Sequence, residues 1–178
     1  THSGTFIWAR RFGGVSKDYG YGVTADPSGN VYLTGRVTGD ADFNGDGDTA
    51  DTGESGTGFG DYDAFVSKFD SSGNHQWAKR LGGTGSDYGR DIAVDSNGNV
   101  YVTGYVSGAS DLNGDGDTED TAESGVGYAA YDVFLTKFDS SGTHQFAIRF
   151  GGAGWDYGYG IFVDSSANIY LTGRVQES

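Results

Sequence analysis

The chain has 178 residues and a formal net charge of −14, with 33 Gly, one Pro and no Cys or Met. The absence of Cys excludes disulfides and thiol chemistry, and the lack of a basic stripe excludes a nucleic-acid partner. No apolar run is long enough for a membrane span or a secretory leader. Frequent Gly with 15% aromatic residues instead indicates an all-β protein with many tight turns.

The strand pattern of the sequence is clearest in the middle of the chain. In chain order the predicted elements are the strands Asp91–Asp95, Val100–Val106, Asp132–Asp139 and Thr143–Phe150. Apolar and polar residues alternate in these strands, and Gly-containing turns join the first to the second and the third to the fourth. A polar, acidic insertion at residues 107–130 separates the second strand from the third. Four short antiparallel strands in this order describe a propeller blade.

The pattern is an internal repeat with a period of 69 residues. Trp8, Trp77 and Phe146 stand at this interval. Three Gly-Gly pairs and three Asp-Tyr-Gly triplets share it, and they begin at Gly13, Gly82, Gly151, Asp18, Asp87 and Asp156. A fixed period indicates one supersecondary unit that is copied and stacked. A residue present in every copy is therefore interpreted as part of the scaffold.

The repeats divide the chain into parts of one domain, 1–178. The predicted parts are a fourth strand at 5–12, blades at 21–80 and 90–149 with insertions at 40–62 and 107–130, and two strands at 159–175. Because a propeller typically has about four to eight blades, one chain makes an incomplete ring with open edges. Three arrangements fit: a fragment of a larger propeller protein or enzyme, an open sheet stack, or a homo-oligomer. In the homo-oligomer, residues 5–12 complete the last blade of the next copy, which gives a ring or a filament.

Four segments carry a characteristic pattern: Asp63–Asp70, Trp77–Gly83, Asp87–Gly89 and Ile92–Gly104. Together they resemble the bacterial SBBP β-propeller repeat family. The resemblance covers nearly the whole chain except the acidic insertions, which are longer than the usual loop of the family. It implies an all-β fold of propeller-type blades and a secreted or cell-surface location, and it implies no particular reaction.

The two insertions carry the net charge of the chain. Residues 40–63 and 111–132 hold 15 of the 25 acidic residues and no Lys or Arg. Oxygen-bearing side chains recur in both at relative positions 1, 3, 5, 7, 10 and 13: Asp42, Asn44, Asp46, Asp48, Asp51, Glu54, and Asp111, Asn113, Asp115, Asp117, Asp120, Glu123. Spacing by two, with Gly between, aims alternate oxygens at one centre, and Ca²⁺ takes about six to eight such oxygens. We predict one Ca²⁺, or two, in each insertion.

The start of each insertion resembles the Asp-x-Asn-x-Asp-Gly segment of EF-hand-like and dockerin-type calcium loops. The resemblance implies that positions 1, 3 and 5 are ligands. The pattern then departs from those loops, because position 12 is Gly53 or Ala122 and the closing acids stand at positions 10 and 13. Position 7 is predicted to contribute through its side chain or its carbonyl group. The alternative interpretation is a solvated acidic loop that only increases solubility, for which a fixed spacing is not required.

The rest of the chain offers few candidates for chemistry. We predict that the protein is not an enzyme, since no nucleophile with a partner base stands out. Most other acids recur in register and are predicted to cap turns: Asp18, Asp87, Asp156, Asp26, Asp95, Asp164, Asp70 and Asp139. Trp155 breaks the repeat, because its counterparts are Lys17 and Ser86. With Tyr157 and Tyr159 it is a candidate contact for a sugar ring, and packing between blades is the alternative for the tyrosines.

These observations predict a calcium-stabilised, extracellular β-propeller repeat protein with a structural or adhesive role at the cell surface, which self-assembles head to tail. The alternative function is a carbohydrate-binding propeller that uses the aromatic side chains at its rim.

Overall fold

The computed structural model describes residues 4–51, 54, 56, 59–120, 123 and 130–176. The strands are β1 (Tyr19–Ala25), β2 (Val31–Val37), β3 (Asp63–Phe69), β4 (His75–Gly83), β5 (Tyr88–Val94), β6 (Val100–Val106), β7 (Ser110–Asp111), β8 (Asp132–Phe138), β9 (His144–Phe150), β10 (Tyr157–Val163) and β11 (Ile169–Arg174). Within those ranges no residue is helical, so the all-β prediction is confirmed. Over the same residues, a search for a helix that could cross a membrane finds none.

The strands form antiparallel sheets that follow chain order. The first blade is β1-β2-β3-β4, the second is β5-β6-β8-β9, and β10-β11 form a hairpin. Within each blade, neighbouring strands are joined by a short turn or by an acidic insertion, and the pairings Val31↔Phe69 and Val100↔Phe138 connect the strands on either side of an insertion. This is the predicted fold class: propeller-type, four-stranded antiparallel blades that leave an incomplete ring in one chain.

One strand was not predicted. β7 lies inside the second insertion and adds to the first blade, where it pairs with the end of β4 through Gly82↔Asp111 and Gly83↔Ser110. The insertion therefore belongs to two blades at once, because it leaves β6 of the second blade and touches the last strand of the first.

The prediction of a strand at residues 5–12 is wrong, since the structure forms none there. A fourth strand takes its hydrogen bonds from the third strand of its blade, as β4 does from β3. No third strand lies beside residues 5–12 within the described part of the chain. The segment nevertheless sits where a fourth strand would. Nε1 of Trp8 donates to the Ser71 carbonyl at 3.2 Å, as Nε1 of Trp77 donates to the Ser140 carbonyl at 3.2 Å.

Aspartates cap the hairpin turns, as predicted. Oδ1 of Asp95 accepts the backbone N–H of Asn97 and of Asn99, both at 2.9 Å. Burial alone would raise the pKa of Asp95, but these hydrogen bonds and others from the Asn99 and Tyr101 side chains hold it below its ordinary value. The same cap recurs at Asp26, Asp70, Asp139 and Asp164.

The turn in the third repeat has alanine at the position where the other two turns have glycine. Ala167 adopts a left-handed conformation with φ of 62°, where the earlier turns place Gly29 and Gly98 with φ of 83° and 80°. A Cβ atom is unfavourable in this region of the backbone map, so the third turn carries strain that the first two avoid.

The main core lies between the two complete blades. Tyr32 and Val66 of the first blade pack with Ile92, Val102 and Phe134 of the second, and all five are buried. Neighbouring blades thus hold one another through β-branched and aromatic side chains. The packing of one repeat on the next stabilises the fold, as expected for a stacked repeat.

Candidate metal sites in two acidic loops

The first acidic loop (residues 42–54) and the second acidic loop (residues 111–123) both fold back over their first carboxylate. Asp42 accepts the backbone N–H of Gly45 at 2.5 Å through Oδ1 and that of Gly47 at 3.0 Å through Oδ2. Asp111 accepts those of Gly114 and Gly116 at 2.5 and 2.8 Å. Gly45 and Gly47 have positive φ, which lets the chain turn this tightly.

An asparagine brings two carboxylates together in each loop. Nδ2 of Asn44 donates to Asp46 at 3.0 Å and to Asp51 at 2.7 Å. The second loop repeats both contacts, from Asn113 to Asp115 and Asp120 at 3.0 and 2.9 Å. Positions 3, 5 and 10 of the predicted ligand pattern therefore converge in both copies.

The glutamate at position 13 connects the end of each loop to its start. Glu54 accepts the backbone N–H of Phe43 at 2.9 Å and that of Asp51 at 3.3 Å. Glu123 accepts the backbone N–H of Leu112 at 2.8 Å through Oε1. These contacts tie the end of each loop to position 2, so the loops are compact.

Glu123 has a buried oxygen without a partner. Its side chain is only 1% exposed, and Oε2 finds no hydrogen-bond donor among the residues that the structure describes. Burial, with the nearby charges of Asp111, Asp120 and Asp115, raises the pKa of Glu123 to about 7. A buried, unsatisfied carboxylate beside three other acids is a site where a cation would relieve both desolvation and repulsion.

The structure groups some of the predicted ligands and separates others. Asp48 and Asp117 turn toward the next residues, where they accept the backbone N–H of Ala50 and Glu119 at 2.9 Å. Position 12, Gly53 or Ala122, lies outside the described residues. Within the described ranges, no three His, Cys, Asp or Glu side chains are arranged as a metal cage.

An apolar residue at position 2 anchors each loop, which the sequence reasoning missed. Phe43 and Leu112 are buried, and their carbonyl groups accept hydrogen bonds from Ser67 at 3.2 Å and Thr136 at 2.7 Å. The available signal was an apolar side chain at the same place in two otherwise polar insertions. The loops are therefore fixed to their own blade at one end.

The aromatic residues near the third repeat form one cluster. Trp155 is 51% exposed and lies edge-on to Tyr131, with ring centroids 5.7 Å apart. Tyr157 and Tyr159 stack with centroids 6.2 Å apart and an interplanar angle of 4°. The structure thus brings the three predicted contact residues together on an accessible surface.

The tyrosines of the repeated triplet also pack between blades. The guanidinium carbon of Arg36 lies 4.5, 3.9 and 5.0 Å from the ring centroids of Tyr19, Tyr62 and Tyr88. Nη1 of Arg36 also donates to the Tyr88 hydroxyl at 3.0 Å. At this joint the tyrosines form a cation–π cluster, which is the structural role that the sequence left as the alternative.

Comparison with known proteins agrees with this architecture. Two segments, residues 7–44 and 76–110, match the family model of the SBBP beta-propeller repeat. These two segments are therefore similar to beta-propeller repeats. The matched segments span the β1-β2 hairpin of the first blade and the β5-β6 hairpin of the second, together with the strand or segment that precedes each, so the match supports this family.

Two curated proteins are similar over about two thirds of the chain. One is "Regulatory protein FlaEY" of Caulobacter vibrioides, 31% identical over 115 residues, which are 65% of this chain and 12% of that protein. The other is an uncharacterized WD repeat-containing protein, L264, of Acanthamoeba polyphaga mimivirus, 27% identical over 121 residues, or 67% of this chain and 8% of that protein. The matched region therefore spans only a small part of the length of these relatives.

Proposed function

We propose that this propeller-repeat chain is a calcium-stabilised, non-catalytic structural or adhesive module that acts outside the cell or at its surface. One observation carries the proposal: two acidic loops of the same fold, 69 residues apart, each converge carboxylates on one asparagine. A loop needed only for solubility has no reason to repeat this geometry.

The donor chemistry favours Ca²⁺. Carboxylate and amide oxygens are the ligands that hard cations prefer, and Ca²⁺ accepts flexible, irregular sets of them. Asp42, Asn44, Asp46, Asp51 and Glu54, with their counterparts in the second loop, would hold the ion. Bound calcium would neutralise the crowded acids. Extracellular modules bind calcium in roughly the millimolar range, which suits a weak site outside the cell.

Calcium removal tests the proposal. We expect EDTA to lower the melting temperature and to increase protease cleavage within residues 42–60 and 111–129. One bound ligand stabilises a protein by about 2.7 kcal/mol when the free ligand is at about 100 times its dissociation constant, which sets the scale of the loss. The turn at residues 140–142 is an internal control that should cleave equally with and without EDTA. Equal melting temperatures and equal loop cleavage would contradict the proposal.

The exposed faces of β1 and β11 support head-to-tail self-assembly as part of the same function. Val23 is 67% exposed, whereas Ile92, its counterpart one repeat later, is 4% exposed. Tyr170 is 55% exposed, whereas its counterpart Tyr32 is fully buried. In the middle of the chain these positions are covered by the neighbouring blade. A second copy that continues the same blade-on-blade packing would cover both open faces.

Sedimentation over a concentration series tests self-assembly. We expect Val23→Asp and Tyr170→Asp each to shift the wild-type oligomer toward monomer, because either change places a charge in the contact. Trp155→Ala, which alters neither open face, is the matched control and should sediment as the wild type does. A wild-type chain that remains monomeric at every concentration would contradict self-assembly.

The aromatic cluster of Trp155, Tyr157 and Tyr159, in which Trp155 and Tyr159 are exposed, favours a second candidate function, carbohydrate binding. Flat aromatic faces that are open to solvent can stack on sugar rings, and Trp155 has no equivalent in the other two repeats. Glycan-array binding that Trp155→Ala abolishes would support this function. An array without any signal for the wild type would remove it.

A further inference from the structure

Each acidic loop is joined to the segment that ends the preceding blade. Asp111, the first residue of the second loop, pairs with Gly82 of β4. Asp42, the first residue of the first loop, forms the equivalent bridge to Gly13, whose N–H donates to the Asp42 carbonyl at 2.8 Å. The residue that begins each candidate metal site is thus also a backbone partner of the preceding repeat.

The second glycine of each Gly-Gly pair permits this close approach. A Cβ atom on Gly83 would lie 2.0 Å from the Ala109 carbonyl oxygen, and one on Gly14 would lie 2.0 Å from the Asp40 carbonyl oxygen. Gly152 is the third member of the series, and a Cβ atom there would meet nothing within 4 Å. The repeated glycine is therefore needed where an acidic loop follows, and it is free to change where none follows among the described residues.

The second loop is held from both sides. Nζ of Lys79, on β4 of the first blade, donates to the Gly114 carbonyl at 3.2 Å. On the other side, Thr136 of β8 donates to the Leu112 carbonyl, and the Leu112 side chain lies in the core shared by the two blades. Movement of the loop relative to either blade would break contacts on that side.

We infer that cation binding by each acidic loop is coupled to docking of the preceding strand, so that calcium clamps consecutive blades together. This inference rests on the proposed function, and the buried, unpartnered Oε2 of Glu123 is the independent sign that the second loop takes a cation. Cation binding requires Asp111 to keep its position, and pairing with β4 fixes the backbone of Asp111. Linkage then requires that calcium strengthen the β4 contact as much as the contact strengthens calcium binding.

Calorimetric calcium titration of the full chain and three alanine variants tests the coupling. Allosteric couplings are typically about 5- to 150-fold, so we expect Gly83→Ala to weaken binding at the second loop roughly tenfold and to spare the first. Gly14→Ala should weaken the first loop and spare the second. Gly152→Ala is the matched control and should bind calcium as the wild type does. Protease protection within residues 42–60 or 111–129 identifies which loop has lost its ion.

Hydrogen exchange of the wild-type chain provides a second readout that does not depend on whether a variant folds. Calcium should slow exchange of the amides at residues 79–83, which contact the second loop, more than at residues 148–152, which precede no acidic loop in the described chain. Wild-type affinity in both Gly14→Ala and Gly83→Ala, with equal exchange at the two segments, would overturn the coupling and leave the proposed function standing. A wild-type chain that binds no calcium would overturn both.

Discussion

The two acidic loops share one sequence pattern and one local fold, yet the segments that precede them differ. In the repeat before the second loop the last segment is β4, which belongs to a complete sheet. The corresponding segment before the first loop is residues 5–12, which form no strand. Asp111 is 2% exposed and Asp42 is 8% exposed. Burial also raises the pKa of Asp111, against the hydrogen bonds that its carboxylate accepts. The difference shows that the neighbouring blade, and not the loop sequence alone, decides how firmly a loop is held.

The largest expected effect comes from replacing the tryptophan of β4, Trp77, or its counterpart in residues 5–12, Trp8. Trp77 packs against the main core from β4, and Trp8 packs at the same place from a segment without sheet partners. We expect Trp77→Ala to lower the free energy of unfolding by about 3 kcal/mol, at the lower end of the range for a large aromatic residue. Trp8→Ala should cost less than about half of that. Denaturant titration measures both, and equal losses would contradict the comparison.

A smaller effect should distinguish the closing glutamates. Without calcium, Glu123→Gln should stabilise the protein by about 1 kcal/mol, because a neutral amide replaces a buried carboxylate with an unpartnered oxygen. Such a gain corresponds to about 2–4 °C in melting temperature for a chain of this size. Glu54→Gln should change stability less, since both of its oxygens already accept hydrogen bonds. With calcium present the sign for Glu123→Gln should reverse, and a gain that persists in calcium would contradict its role as a ligand.

A further effect concerns pH and the buried ion pairs beside the loops. Arg80 lies 3.4 Å from Asp63 near the first loop, and Arg149 lies 3.0 Å from Asp132 near the second. Burial raises the pKa of Asp63 from 3.8 to about 8, although the charge of Arg80 opposes the shift. The folded state therefore favours protonated Asp63. This stabilisation is complete below the unfolded pKa and is lost as the pH rises through about 8.

The melting temperature should accordingly fall between about pH 4 and pH 8, and Asp63→Asn should flatten that slope more than Asp132→Asn does. The exposed Asp70 is the control. Hydrogen bonds from Asn74 lower its pKa, so its stabilising contribution is present above the ordinary carboxyl pKa and is lost only in acid. Asp70→Asn should leave the slope between pH 4 and pH 8 unchanged, and an unchanged slope in Asp63→Asn would contradict the assignment.

The sequence predicted the parts of the fold that depend on local patterns. Period-two alternation located strands such as Val100–Val106, and the recurring aspartates correctly indicated capped turns such as the one at Asp95. The 69-residue period gave four-stranded blades, because each copy contains a complete set of hairpin signals. Those signals need only neighbouring residues, which is why a single sequence suffices for them.

The sequence could not predict contacts that depend on a neighbouring repeat. Residues 5–12 have the pattern of a strand, but no third strand lies beside them in the described part of the chain, so they form none. β7 lies in a polar insertion without strand periodicity, and pairing with Gly82 and Gly83 alone creates it. The side chains at positions 3, 5 and 10 lie together in both acidic loops, whereas Asp48 and Asp117 accept backbone N–H groups instead.

The left-handed turn at Ala167 offers a route to a more robust protein. The first two repeats place glycine there, and the third retains a methyl group in a conformation that costs roughly 1 kcal/mol. Exchanging Ala167 for glycine would relieve that cost without altering the core, the acidic loops or the aromatic surface. Removing that one methyl group is therefore a simple first step towards a more stable version of this scaffold.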